Sequence, residues 1–212
     1  MKTIYKAKYV LSHVIAYLPT SFLRKTLYKF ILGYRIGKKV SIGWGSYIHA
    51  NTVIIEDNVN VGKYNRIFYL DTFIMRKGAS AGLRNTMSGA KFSLGRHPRP
   101  NYLEIGEKAL ITSEHKLDAS FGIEVGAGTW IAGRACNFWS HGSTKPNDTI
   151  VIGKGCRFGA NCNIGTGVHI GDSCLIGMGT VMTKSFPDNN CLIGGVPAKV
   201  IKTDFNWNEH WW

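Results

Sequence analysis

Apolar residues return every sixth position along the end of the chain: Ile152, Phe158, Ile164, Ile170, Ile176 and Met182. Behind most of them stands glycine (Gly153, Gly159, Gly165, Gly171, Gly177). Four places after them come small or slender side chains: Cys156, Cys162, Val168, Cys174, Thr180. A helix buries every third to fourth residue and a strand every second, so neither produces a strict six. A hexapeptide β-helix does, because each unit supplies one short strand and one corner. The apolar residue points into a narrow prism, the small one fills the corner, and glycine answers backbone crowding or an unusual φ. The pattern predicts an all-β solenoid.

The beat reaches back to Ile36-Gly37, Ile42-Gly43, Ile48 and Ile54, slips by one to Ile55, and continues through Val61-Gly62 and Ile67. Between Leu70 and Pro100 it degrades, and an excursion is expected near 71–103 that includes Arg96-His97-Pro98-Arg99-Pro100. Order returns at Ile105-Gly106, Ile111, Leu117 and Ile123, and a two-residue slip sets Val125-Gly126 and Ile131-Ala132. A second excursion is expected near 137–149. The solenoid thus spans 35–202, and its interruptions are outward loops, where chemistry is commonly placed.

Residues 1–34 break the pattern. They predict two short helices parted at Pro19, with Ile4, Leu11, Ile15 and Leu18 on one face of the first and Leu23, Leu27 and Ile31 on one face of the second. Thr20 or Ser21 caps the second helix and Gly33 closes it. These faces either dock on the end of the solenoid or lie in a lipid interface. Residues 203–212 form an aromatic tail with Trp207, Trp211 and Trp212, suited to a protein neighbour or to lipid.

A chain of 212 residues, 44% hydrophobic, supports one sizeable core. No apolar run of about 20 residues predicts a membrane span, and no signal peptide is expected. Five cysteines without a C-x-x-C pattern argue against a zinc ribbon or a disulfide framework. Cys156, Cys162 and Cys174 share one slot as core filler, and with three hexapeptides per coil Cys156 and Cys174 stack roughly 4.8 Å apart. A reduced, cytoplasmic compartment is the simpler expectation. The net charge is +13, and no acidic residue precedes Glu56. The basic arm points to an anionic membrane surface or ligand, the former a peripheral contact at the inner face of the cytoplasmic membrane; a solvated positive face is the alternative. No nucleic-acid motif accompanies the charge, and no such partner is expected.

Several segments carry a resemblance: Trp130-Ile131-Ala132-Gly133, Phe138-Trp139-Ser140-His141-Gly142, the repeat block, then Val181-Met182-Thr183-Lys184, Pro187-Asp188-Asn189 and Gly194-Gly195-Val196-Pro197-Ala198-Lys199-Val200-Ile201. From Ile123 to Lys202 the chain resembles the hexapeptide-repeat acyltransferases of left-handed β-helix fold, such as maltose, galactoside and virginiamycin acetyltransferases. The basic helix pair is similar to the branch that modifies capsule, O-antigen or exopolysaccharide. The resemblance implies a homotrimer, with acetyl-CoA in the groove between neighbouring prisms and a sugar or lipid-linked saccharide as acceptor.

It also implies site residues. His141 matches the catalytic histidine, and imidazole is suited to accept a hydroxyl proton as the alcohol attacks a thioester; the alternative is a loop histidine capping a turn. Asp118 matches an acidic residue that helps hold the acceptor, or is an ordinary turn carboxylate. His115 could orient the acceptor or assist His141, although it falls on the corner-filling position and fits a structural histidine equally. The Ala160 N–H matches an oxyanion donor, and Met178, Thr183, Lys184 and Lys199 match positions lining CoA. Arg157 departs from the family, where tryptophan is frequent, and Trp139 could supply an aromatic wall for a sugar or anchor the loop.

A zinc carbonic anhydrase of the same fold needs converging histidines, including a pair five apart. Five beyond His115, His141 and His169 stand Ser120, Pro146 and Cys174, so no metal site is expected. A non-catalytic scaffold or membrane-associated subunit, and an amine in place of a hydroxyl acceptor, are the remaining alternatives.

Overall fold

The structure is a computed structural model that describes residues 2–90, 101–142 and 149–207. Two helices, α1 (Lys2–Ala16) and α2 (Ser21–Phe30), precede a prism of stacked coils. The first coil holds β1 (Arg35–Ile36), β2 (Ser41–Ile42) and the start of β3 (Tyr47–Ile55); β3 turns a corner into the second coil with β4 (Asn60–Val61). In the same way β5 (Arg66–Met75) leads into β6 (Ser80–Ala81) and β7 (Thr86–Ser88). Then come β8 (Tyr102–Ile105), β9 (Leu110–Ile111) and β10 (Lys116–Asp118), followed by β11 (Ile123–Val125), β12 (Trp130–Ile131) and β13 (Asn137–Trp139). The clean repeats give β14 (Ile150–Ile152), β15 (Arg157–Phe158), β16 (Asn163–Ile164), β17 (His169–Ile170), β18 (Leu175–Ile176) and β19 (Val181–Met182). A hairpin of β20 (Leu192–Gly194) and β21 (Lys199–Lys202) follows.

Strands on the same face of successive coils pair in parallel, so that Val125 lies beside Ile152 and Ile131 beside Phe158. Only the β20–β21 pair among the described strands is antiparallel. The coils wind as a left-handed β-helix. Inward residues form one continuous core, with Phe138 and Phe158 edge to face at 5.6 Å. Glycine follows the inward residue because successive coils nearly touch there. A Cβ on Gly126 would lie 2.3 Å from the Gly153 carbonyl oxygen.

Two boundaries differ from expectation. The excursion expected near 71–103 is narrower, since β5, β6 and β7 continue the coils through Ser88 with Met75, Ala81 and Met87 pointing inward. Methionine and alanine fill the prism there as isoleucine does elsewhere, which hides the beat. The Arg96–Pro100 segment lies outside the described residues. Likewise β13 belongs to its coil, pairing with β10, and the second loop leaves only after Trp139.

The helices cap the open first coil, and this fixes which face they bury. Gly37, Ser41 and Gly43 donate their N–H groups to the second coil, whereas Ile42 and Ile48 point theirs at the helices. Ser21 Oγ accepts from Ile42 N (2.9 Å), Arg24 Nε donates to Ile42 O (2.9 Å), and Tyr28 Oη accepts from Ile48 N (3.2 Å). Buried backbone groups must be paired, so α2 turns Arg24 and Tyr28 inward. The expected Leu23–Leu27–Ile31 stripe does not hold: Leu27 is partly buried, while Leu23 and Ile31 are exposed. Thr20 is the N-cap, accepting from Leu23 N. On α1, Ile15 is buried and Leu11 packs against the core, as expected, and Leu18 does so just after the helix; the side chain of Ile4 lies outside the described ones.

The tail's Trp207 docks on the prism. Its indole N–H donates to Gly155 O (3.1 Å), and the Arg157 guanidinium stands 4.3 Å from the Trp130 ring and 5.7 Å from that of Trp207. Trp211 and Trp212 lie outside the described residues.

Candidate active site

The loop that leaves β13 is held at its root. Asp118 and Trp139 are register partners on adjacent strands, so both occupy the outward position at the same end of one prism face. Ser140, buried, then donates its N–H to Asp118 O (2.9 Å) and accepts from Phe121 N through Oγ (2.9 Å). This double tether delivers the next residue, His141, alongside Asp118. Gly142 continues where a Cβ would lie 2.8 Å from Thr166 Cγ2 of the following coil, so only glycine passes without displacing that side chain.

His141 Nδ1 stands 3.1 Å from Asp118 Oδ2, with the imidazole 39% and the carboxylate side chain 19% exposed. The separation is that of a hydrogen bond but the alignment is not, and among the described residues the buried Nδ1 has no better partner. The other carboxylate oxygen, Oδ1, accepts from Ser120 N (3.2 Å) and Ser120 Oγ (2.5 Å), which fixes the carboxylate plane. A carboxylate facing Nδ1 favours the tautomer that carries its proton there and leaves Nε2 as the lone-pair nitrogen. The Trp139 ring lies 5.9 Å from the imidazole at 71° and is exposed, forming a wall beside it.

His115 is not part of this cluster. It is fully buried, with Nδ1 accepting from Cys136 N (3.1 Å) and Nε2 2.9 Å from Thr112 Oγ1. It is one rung of an internal ladder: Asn65 Oδ1 accepts from Asn85 N, Asn85 Oδ1 from His115 N, and His115 Nδ1 from Cys136 N. A role in catalysis is therefore replaced by a structural one, because both ring nitrogens are used inside the corner. Cys136, Cys156, Cys162, Cys174 and Cys191 are likewise buried free thiols. Cys156 and Cys174 stand on adjacent coils as expected, through the register of β15 and β18.

The residues expected to line CoA divide between two ridges. Ala160 and Met178 stack at the corner that precedes β16 and β19. A Cβ on Gly133 would lie 2.7 Å from Ala160 Cβ, and one on Gly159 2.7 Å from Met178 Cγ. Lys199 joins this corner through its pairing with Gly194. Thr183 and Lys184 follow β19 at the opposite end of the same face, the end that carries His141. Ala160 and Thr166 are six positions apart in the chain, so the ridges are at most about 22 Å apart. Met178 is 78% exposed, a large apolar side chain standing clear of its own prism. Among the described residues no cluster of metal-ligating side chains occurs.

Residues 149–184 match the family described as the hexapeptide repeat of succinyl-transferase. No curated protein matches the chain at the sequence level. Among solved structures, a UDP-N-acetylglucosamine acyltransferase from Campylobacter jejuni aligns with a TM-score of 0.52 at 16% identity, over 81% of this chain and 71% of that one. The polySia-specific acetyltransferase NeuO aligns at 0.49 and 19% identity, over 82% and 77%. A hexapeptide-repeat-containing acetyltransferase from Vibrio cholerae aligns at 0.41 and 15% identity, over 95% and 91%. At 16% identity the first bears on fold alone, and the other two fall below a TM-score of 0.5. Fold and repeat together define this chain as a hexapeptide-repeat protein of the left-handed β-helix class. Its clean block is similar to the succinyl-transferase hexapeptide repeat over residues 149–184.

Proposed function

We propose that this chain is a CoA-dependent O-acetyltransferase that carries an acetyl group to a sugar hydroxyl, with His141 as general base. The observation that carries the reading is the pair formed by His141 Nδ1 and Asp118 Oδ2 at 3.1 Å, at the open edge of a β-helix face. With the nearby carboxylate favouring the proton on Nδ1, Nε2 takes the proton from the attacking hydroxyl. The new bond joins that oxygen to the acyl carbon. The carbon–sulfur bond breaks, and Nε2–H returns the proton to the departing thiolate. A thioester is already activated, so one positioned base suffices and no acyl-enzyme is needed. Asp118 acts through His141 by stabilising the transient imidazolium, in place of the acceptor-holding role implied by resemblance.

The exposed Met178 suits contact with a pantetheine arm, and Lys184 and Lys199 suit the phosphates of CoA. The Ala160 N–H is assigned as oxyanion donor. Ala160 and His141 stand at opposite ends of one face, so a complete site needs a neighbouring prism to bring one chain's His141 ridge to another's Ala160–Met178 ridge. A homotrimer meets that need, and Trp139 then walls the acceptor. Saccharide units of a surface polysaccharide, free or lipid-linked, are the acceptor class assigned.

The test is CoA release from acetyl-CoA against a panel of neutral and amino sugars, wild type beside His141→Ala. Turnover on hydroxyl acceptors that His141→Ala lowers by about 10²–10⁴ supports the assignment. Acetylation confined to the amine would replace O-transfer by N-transfer. Turnover retained by His141→Ala would remove His141 from the mechanism.

A further inference from the structure

Helix α2 presents the reverse of what a helix facing water presents. It buries the cation Arg24, 4% exposed, and the phenol of Tyr28, while Phe22 is 66% and Phe30 76% exposed. The capping hydrogen bonds to Ile42 and Ile48 fix this rotation, so the phenylalanines are held outward. Helix α1 adds Val10, Val14 and Tyr17, one exposed stripe at helical spacing. Tyr17 continues it to Trp44, ring against ring at 5.1 Å. Lysines accompany the apolar side chains: Lys25 Nζ lies 5.9 Å from the Phe22 ring and Lys29 Nζ 5.7 Å from that of Phe30. No acidic residue occurs before Glu56, while Lys6, Lys29, Arg35, Lys38 and Lys39 are exposed.

We propose that the outward face of α1 and α2 seats the protein on an anionic lipid bilayer, with Phe22, Phe30, Val10 and Val14 entering the acyl boundary and the lysines meeting lipid phosphates. The face needs a partner that is apolar beneath and negative above, and a bilayer with acidic headgroups offers both in one surface. Each Lys–Phe pair suits it: the ring enters while the ammonium stays at headgroup depth. A second copy of the same face would bring together two lysine-bearing helix pairs that carry no acidic residue of their own, which repels; the carboxylates Glu56 and Asp57, beside Lys29 and Arg35, belong to the prism. Neither helix is long and apolar enough to cross a membrane, so the attachment is peripheral. The assignment does not depend on acyl transfer.

The test is flotation of the full chain with vesicles of phosphatidylcholine alone or with about one third phosphatidylglycerol, at salt of about 0.1 M and about 0.5 M, where the Debye length is roughly 10 Å and roughly 4 Å. Partition onto acidic vesicles is expected to exceed that onto neutral ones by about tenfold or more and to fall several-fold at the higher salt. The double variant Phe22→Ser/Phe30→Ser changes only exposed side chains. It is expected to lower binding about tenfold or more with unchanged thermal unfolding and unchanged mass in solution. Lys25→Gln/Lys29→Gln should reduce the preference for acidic over neutral vesicles. Wild type failing to float with acidic vesicles, or the serine variant floating as wild type does, overturns the proposal. A lower solution mass of the serine variant without lipid also overturns it, by assigning the face to a second copy.

Discussion

The substitution Asp118→Asn separates the charge of that residue from its shape. The carboxamide has the same outline and keeps an oxygen for Ser120 N and Oγ, so the corner and the loop root stay in place. What disappears is the negative charge 3.1 Å from His141 Nδ1. At an effective dielectric of about 20, a full charge pair at that distance is worth about 5 kcal/mol. Both groups are partly exposed, and solvent screening brings the expected effect to about 1.4–2.7 kcal/mol. That energy is lost when Nε2 takes the hydroxyl proton, so kcat is expected to fall about 10- to 100-fold. The acceptor KM is expected to stay within about twofold, because the carboxylate acts through the imidazole and does not grip the sugar. The assay is continuous detection of released CoA thiol with the acceptor varied at saturating acetyl-CoA, beside a thermal melt to show the fold intact. A kcat within about twofold of wild type, or a loss expressed wholly in acceptor KM, refutes the account and returns Asp118 to acceptor binding.

Other outcomes follow from the same geometry. His115→Leu should lower unfolding free energy by about 1–3 kcal/mol, since the buried Cys136 N–H loses its acceptor while Thr112 Oγ1 keeps the Ile131 and Gly133 carbonyls; in chemical denaturation, stability equal to wild type would exclude the ladder role, and the folded fraction should keep its kcat. Phe158→Ala removes a fully buried ring packed on Phe138 and should cost about 3–5 kcal/mol by the same measurement. Gly126→Ala places a methyl 2.3 Å from a backbone oxygen that cannot move away cheaply, and soluble yield should collapse; a normal melt would show that the coils can separate there. If two prisms build each site, the native mass in light scattering should be about three times the 23.5 kDa chain, and a mixture of His141→Ala and Ala160→Pro chains should regain activity that neither has alone.

The prism was legible because its rule is local: one residue in six points inward, and Ile152 through Met182 obey it with aliphatic or aromatic side chains. The rule blurred between 71 and 88 because Met75, Ala81 and Met87 obey it with a flexible chain and a methyl. The corner ladder was harder to see. Asn65, Asn85, His115 and Cys136 share no side-chain class, and what joins the first three is a polar atom that meets the backbone N–H of the next coil. Hydrophobicity counting is blind to that property. Position in the repeat was the one available signal, and it put His115 at a corner.

Helix α2 failed the apolar-inward rule for a reason that generalises. A β-helix has an open end, and each strand of its first coil presents unpaired N–H and C=O groups there. A cap must bring donors and acceptors, so Arg24, Tyr28 and Ser21 face inward and the greasy residues go wherever the rotation leaves them. The apolar spacing of Leu23, Leu27 and Ile31 carried no information about which face the cap would use. The same requirement operates at His141. Ser140 is drawn in to hydrogen-bond Asp118 and Phe121 across the corner, and the residue after it has no choice but to emerge beside the carboxylate. A polar residue satisfying backbone at an interruption of the coil thus decides what the loop displays, whether a row of phenylalanines at one end of the molecule or an imidazole on its flank.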